Sequence, residues 1–109
     1  VVVRRGDLAT VVQPGASGKP RPALILQSDL FDAHPSAVVL PVTSELRDAP
    51  FFGVRIEPSE ANGLRAVSEI MVDKATLVPR TRVVEVFGRL EGRRVVSVER
   101  LLAVFLGLG

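Results

Sequence analysis

The sequence predicts a mainly β (α+β) fold, in which a series of short strands is followed by one C-terminal helix. Three observations carry this expectation. Short apolar runs are bounded by Gly and Pro, some of them alternate apolar with charged residues, and the apolar spacing becomes helical near the end of the chain. With 109 residues, 47% of them hydrophobic, the chain can build one modest core, and residues 1–109 read as a single domain.

The first expected strand is residues 8–13 (LATVVQ), after the turn Arg5-Gly6-Asp7. Residues 14–20 are dense in Gly and Pro without any period, the signature of a loop. Residues 22–27 (PALILQ) form a short apolar run that suits a buried strand. Ser28 or Asp29 can cap one helical turn over residues 30–33, which His34-Pro35 ends. Residues 37–42 (AVVLPV) read as a third strand. Pro41 within it predicts an edge position or a bulge, because proline has no N–H for the ladder. Residues 53–57 (GVRIE) alternate as a half-exposed strand should, and Asn62-Gly63 marks a turn. Residues 67–73 and 75–78 are further strand candidates. The last is residues 83–90 (VVEVFGRL), where Gly88 suggests a bulge or bend.

In the tail, Val95, Val98, Leu101, Leu102, Phe105 and Leu106 recur at helical spacing, with Glu99 and Arg100 on the other side and Gly107 as terminator. Phe87 and Phe105 fit a core. Many short strands followed by one helix imply a compact, SH3-like, partly open β-barrel with the helix packed on it.

The absence of cysteine removes disulfide frameworks, zinc-finger spacings and thiol nucleophiles together. It also favours a reducing cytosol. No signal-peptide pattern is visible and no apolar stretch approaches a membrane span, so the expected location is cytoplasmic, with no membrane partner. The net charge is only +2, yet the isoelectric point is near 9.9 because Arg supplies nearly all the cations. Arginine suits phosphate, but a coding bias toward Arg explains the composition equally well, and charge alone selects no partner.

Four ordered segments resemble the MazF/PemK toxin family. The first is Arg5-Gly6-Asp7-Leu8. The second is Lys19-Pro20-Arg21-Pro22-Ala23-Leu24-Ile25-Leu26-Gln27-Ser28-Asp29, and the third is Val39-Leu40-Pro41-Val42-Thr43-Ser44. The fourth runs from Gly63-Leu64 through Ser68 and Asp73-Lys74 to Arg82, Gly88-Arg89-Leu90 and Leu106-Gly107-Leu108. Each piece is common alone; the ordered set is specific and spans nearly the whole chain. The resemblance implies a homodimeric toxin of a type II toxin–antitoxin system that cleaves single-stranded RNA without metal or cofactor. It also implies a cognate antitoxin whose disordered acidic and hydrophobic tail blocks the groove. The implied chemistry is attack of a ribose 2′-OH on the adjacent phosphorus, leaving a 2′,3′-cyclic phosphate and a 5′-OH.

Such attack needs a proton acceptor, a donor for the leaving oxygen and cationic donors for the phosphorane. Arg21 is the first candidate catalytic residue, placed between a Gly/Pro loop and a rigid strand where its guanidinium can grip two phosphate oxygens. It stays protonated and is a poor base. Thr43 is the second, with Ser44 as auxiliary: a hydroxyl at a strand end can donate to phosphate, or simply bond its own turn. Asp73 either accepts or orients the 2′-OH proton. Lys74 stands where relatives carry Gln, adding phosphate affinity, and Met71 stands where some carry an arginine. The general acid is therefore left open. Lys19, like Arg4, Arg5, Arg47, Arg80 and Arg82, could track the RNA backbone. Phe51 and Phe52 could stack on a base, clasp the antitoxin or plug the core, and Ala9 stands where relatives often place an aromatic. His34, the one histidine, reads as an exposed loop residue outside the family's catalytic segments. Two rival readings are a CcdB-like gyrase poison, whose Trp-Gly-Ile-type tail is absent here, and a non-catalytic SH3-like module binding RNA or peptide.

Overall fold

The computed structural model describes residues 1–12 and 18–109. Gln13 and the first part of the Gly/Pro loop, residues 13–17, lie outside the described residues. The strands are β1 (Asp7–Val12), β2 (Pro20–Ile25), β3 (Ser36–Thr43), β4 (Gly53–Ile56), β5 (Ser68–Met71), β6 (Thr76–Pro79) and β7 (Val83–Arg89), followed by helix α1 (Gly92–Phe105). They form one antiparallel sheet in the order β4-β5-β3-β2-β1-β7, with β6 paired to β3. The sheet does not close, as the partly open architecture requires.

The strand alternation read from the sequence sorts side chains onto two faces. Leu8, Leu24, Leu40, Val42 and Ile70 lie on one face in a core that includes Val98 of α1, with Val95, Leu101 and Leu102 packed against it. The opposite face buries Ala9, Val11, Ala23, Ile25 and Val39 with Val78 and Val83. The turn before β1 ties these layers together. Gly6 has φ +92°, which favours glycine there. Its N–H donates to the Ile25 carbonyl and its own carbonyl accepts from Leu90 N–H, both at 2.8 Å. Asp7 accepts from Arg4 N–H at 2.8 Å and from the Arg89 guanidinium at 2.6 Å. The Arg5 guanidinium donates to the Leu26 carbonyl and pairs with Glu99 of α1.

Several expectations are met. Ser28, not Asp29, is the cap: its Oγ accepts from Leu30 N–H at the start of a 3-10 turn over Asp29–Phe31. The β1–β7 register shifts where Leu8 faces Gly88 and Ala9 faces Val86, leaving Phe87 as the extra residue of a bulge beside Gly88. Asn62 turns the chain as expected, its Oδ1 accepting from Ser59 and Leu64 N–H, both at 2.9 Å.

Others are corrected. Pro41 is not on an edge strand, since β3 is paired on both sides and Pro41 itself faces Ala23 of β2. On its other side the β6 pairing ends at Val39 and the β5 pairing begins at Val42. The proline thus occupies the gap where β3 exchanges one neighbour for another. Phe105 is 50% exposed and Leu106 56% exposed, because the last turn of α1 runs past the end of the core that its earlier residues cover. Residues 72–74 form a 3-10 turn rather than the end of a strand, so β5 stops at Met71. Among the described residues, no helix is long and apolar enough to cross a membrane.

Candidate active site

Arg21 and Thr43 come together through the β2–β3 ladder. Ala23 faces Pro41 in that ladder, and the same register continued two residues outward sets Arg21 across from Thr43, on one face. The two side chains line a single depression of about 280 Å³, at the small end of ligand clefts, with Val11, Ala23, Pro41 and Val42 beside them. Lys74 and Met71 line it as well. Arg21 is exposed near the start of a strand that is buried from Ala23 onward, so its head is free while its base is held.

Arg21 and Lys74 supply two positive charges to this wall, and among the described residues no carboxylate or imidazole lines it. The Thr43 Oγ1 accepts from Glu45 N–H at 3.0 Å. The turn bond expected of a strand-end threonine is therefore present, and it leaves the hydroxyl proton free to donate into the depression. The depression thus combines a guanidinium fork, an ammonium and a hydroxyl around a mostly apolar floor.

The remaining candidates lie elsewhere. Ser44 leaves β3 on the other face and lines a second depression with Thr10, Arg65 and Glu85, which touches the first only at Pro22. Lys19 is exposed beside Gly18, next to β2 but outside the depression. Phe51 is 79% exposed, which removes the core-plug alternative, and it projects from the loop between β3 and β4. Phe52 is partly covered, with the Arg47 guanidinium 5.2 Å from its ring centre. His34 is exposed, its Nδ1 accepting from Ser36 N–H at 3.0 Å, away from the depression. Three of the cations expected to follow RNA are tied into the fold instead: Arg5 to Glu99, Arg80 to the His34 and Phe31 carbonyls, and Arg47 to two carboxylates.

Asp73 does not reach the depression. Both its oxygens accept from Arg47, at 2.8 and 3.0 Å. The hydrogen bonds from Arg47 hold its carboxyl below the usual aspartate value, which makes it a weaker base than an ordinary aspartate. A carboxyl whose folded pKa is depressed contributes stability above its unfolded pKa, and that contribution disappears as pH falls through the folded value. We expect acid unfolding of the wild type to include a loss beginning below about pH 4 that Asp73→Asn lacks. Parallel stability-against-pH curves for the two proteins would show that the pair contributes nothing.

Sequence reasoning missed Glu69, the buried partner of Arg47. The one available signal was a carboxylate directly before the apolar pair Ile70-Met71 of a short strand.

The match to known proteins covers this wall and the rest of the fold. The family model described as PemK-like, MazF-like toxin of type II toxin-antitoxin system matches residues 4–106. The chain belongs to that family. The toxin is 49% identical, over 97% of its own length and 98% of the relative, to a Mycolicibacterium smegmatis protein named "Probable endoribonuclease MazF". Its fold is similar to that of an endoribonuclease solved with its cognate antitoxin from a mycobacterial species, with TM-score 0.81, 19% identity, and coverage of 98% of this chain and 97% of that one. It is also similar to a MazE-MazF structure from Deinococcus radiodurans, with TM-score 0.80, 24% identity, and coverage of 100% and 99%.

Proposed function

We propose that this toxin cuts single-stranded RNA by in-line attack of a ribose 2′-OH on its own 3′-phosphate, with the phosphate seated on the Arg21–Thr43 wall. That the toxin is an endoribonuclease follows from its family and from its near half-identity to a relative of that name over almost the full length of both. The observation that carries the chemical reading is the convergence of Arg21, Thr43 and Lys74 on one depression.

In this reading the two N–H groups of the Arg21 fork grip the non-bridging oxygens as negative charge grows on them, which a preorganised donor stabilises more than the ground state. The Thr43 hydroxyl donates a third hydrogen bond and fixes the angle of the phosphorus. Lys74 adds a point charge at the rim where an amide would read a base, so it contributes affinity rather than sequence readout. The 2′-OH oxygen forms a bond to phosphorus as the bond to the 5′-oxygen breaks. The 2′-OH proton passes to a group beyond this wall, and the leaving oxygen takes up a proton. Phe51, projecting from the neighbouring loop, offers an aromatic face on which an unpaired base can stack. Lys19 extends the positive margin along the incoming strand.

The same reading places the toxin in the cytoplasm as one domain acting in a homodimer. Val104, Phe105, Leu106 and Leu108 are exposed together at the end of α1, an apolar group suited to a second copy. Its antitoxin brings an acidic and hydrophobic tail that folds on the groove. The reaction needs no metal. The test is incubation of the toxin with RNA in excess EDTA, followed by end analysis of the fragments. We expect cutting to persist, with 2′,3′-cyclic phosphate and 5′-OH ends. Cutting abolished by the chelator, or fragments bearing 5′-phosphates, would replace this chemistry with a metal-assisted one.

A further inference from the structure

Beside the wall stands a second cluster, and its organisation is unusual for a small domain because it encloses a charged group. Glu69 faces Thr43 directly across the β3–β5 ladder, so the two side chains leave the sheet on the same face. Glu69 is nevertheless only 1% exposed. A carboxylate that deep is tolerated only when paired and hydrogen-bonded. Arg47 does both: its backbone N–H donates to Oε1 at 2.9 Å, and its Nε and Nη2 donate to Oε2 at 2.8 and 2.5 Å. The outer side of the same guanidinium holds both oxygens of Asp73.

The surrounding chain is shaped to this arrangement. A Cβ on Gly53 would overlap the Glu69 carboxylate, so β4 is bare where that carboxylate lies. The Arg47 carbonyl accepts from the Arg55 guanidinium at 3.2 Å, and the Phe52 carbonyl accepts from Val72 N–H at 3.0 Å. The cluster therefore joins three pieces of chain: the β3–β4 loop that follows Thr43 and presents Phe51, strand β5 that carries Glu69, and the turn Val72–Lys74 that presents Lys74.

We infer that Glu69 and Asp73 are positioning residues for RNA cleavage, acting through Arg47 to hold Thr43 and Lys74 in register around the phosphate. Neither carboxylate touches RNA: Glu69 is enclosed, and Asp73 is occupied by Arg47. Asp73 thus takes the orienting role and not that of proton acceptor. The inference rests on the proposal that the phosphate sits on the Arg21–Thr43 wall. It adds that the wall is held by one guanidinium and two carboxylates, none of which lines the Arg21–Thr43 depression.

The test uses an RNA oligonucleotide spanning a site first mapped with the wild-type toxin. kcat, KM and the pH profile of kcat are measured for Asp73→Asn, Glu69→Gln, Arg47→Lys, Arg47→Met and the double variant Arg47→Met/Asp73→Asn. A misplacement of about 1 Å costs on the order of 100-fold in rate. We expect Asp73→Asn and Glu69→Gln to lower kcat by about 10- to 100-fold with KM little changed. The shape of the pH profile is expected to stay that of the wild type, and the double variant to be no slower than Arg47→Met alone. Arg47→Lys recovers part of the loss, because an ammonium can meet one carboxylate but not fork between two.

Wild-type kcat in Asp73→Asn, or a rise in KM alone, would overturn the inference. Loss of the acid limb of the pH profile in Asp73→Asn would overturn it too, by making Asp73 the proton acceptor. If Glu69→Gln does not fold by circular dichroism, Asp73→Asn and Arg47→Lys, at partly exposed positions, decide the matter. Arg21→Ala in the same assay separates the two levels of the argument. Normal cutting by Arg21→Ala removes the wall itself, whereas normal cutting by the cluster variants alongside a dead Arg21→Ala removes only the positioning role.

Discussion

Arg21→Ala is expected to lower RNA cleavage by about 100- to 1,000-fold while leaving the fold in place. The size follows from the role. A donor fixed where charge develops in the transition state loses its full contribution when removed, because water entering the depression must reorganise to replace it. The indifference of the fold follows from position. Arg21 is exposed, and among the described residues it makes no ion pair, so its removal strands no buried carboxylate. Thermal stability is expected to stay within about 0.5 kcal/mol of the wild type, as for surface substitutions generally. Arg21→Lys is expected to fall between the two, since an ammonium restores the charge without the fork. The measurement is kcat/KM on a mapped oligonucleotide alongside a melting curve. A variant that has lost activity only because it has unfolded would not support the assignment.

Gly88→Ala is expected to destabilise the toxin by about 3 kcal/mol or more, a loss in the range reserved for steric conflict within a packed region. A single methyl group is the whole perturbation, so the cost lies in what it meets. A Cβ at Gly88 would overlap the carbonyl oxygen of Asn62 and crowd its Cα, and these are backbone atoms with no rotamer to escape into. The Asn62 backbone cannot easily retreat. Its side chain is fixed by Ser59, Leu64 and the Glu57 carbonyl, and Arg89 N–H donates to the Ala61 carbonyl at 2.9 Å. Relief would require undoing the bulge at Phe87, which is packed against the main core. Denaturant unfolding measures the effect, and a midpoint unchanged from the wild type would show that the loop over residues 57–63 yields more readily than its hydrogen bonds indicate.

What is legible in the sequence is what local chemistry encodes. Gly88 signalled the bulge because a bare position inside a strand marks close approach of another backbone. The β2 and β3 runs place Arg21 and Thr43 at strand ends, while their common face follows from the β2–β3 register, which the sequence does not carry. Ser44 is adjacent to Thr43 in sequence, yet two-residue alternation along the chain sends it to the opposite face.

What escaped was set by tertiary neighbours. Pro41 obeyed the rule that a proline needs an unpaired side, but the gap arises from the meeting of β5 and β6, which no window around Pro41 contains. Phe105 and Leu106 continue the helical stripe, yet the core ends a turn earlier, and periodicity carries no information on where a neighbour stops. Asp73 looked available because its partner Arg47 lies 26 residues away along the chain. Glu69 carries no signal beyond its place inside a short strand next to Ile70 and Met71. Both carboxylates belong to a cluster that exists only once β3, β5 and the intervening loop are assembled.

The central claim is that the nucleophile is the substrate's own 2′-hydroxyl, held in line beside Arg21 and Thr43. It is tested most directly with an RNA oligonucleotide carrying one 2′-deoxy residue immediately 5′ of a mapped cut, compared with its all-ribose counterpart. The account predicts that both bind alike and that the deoxy oligonucleotide is not cut at that bond. Cleavage of that bond at the all-ribose rate would contradict it.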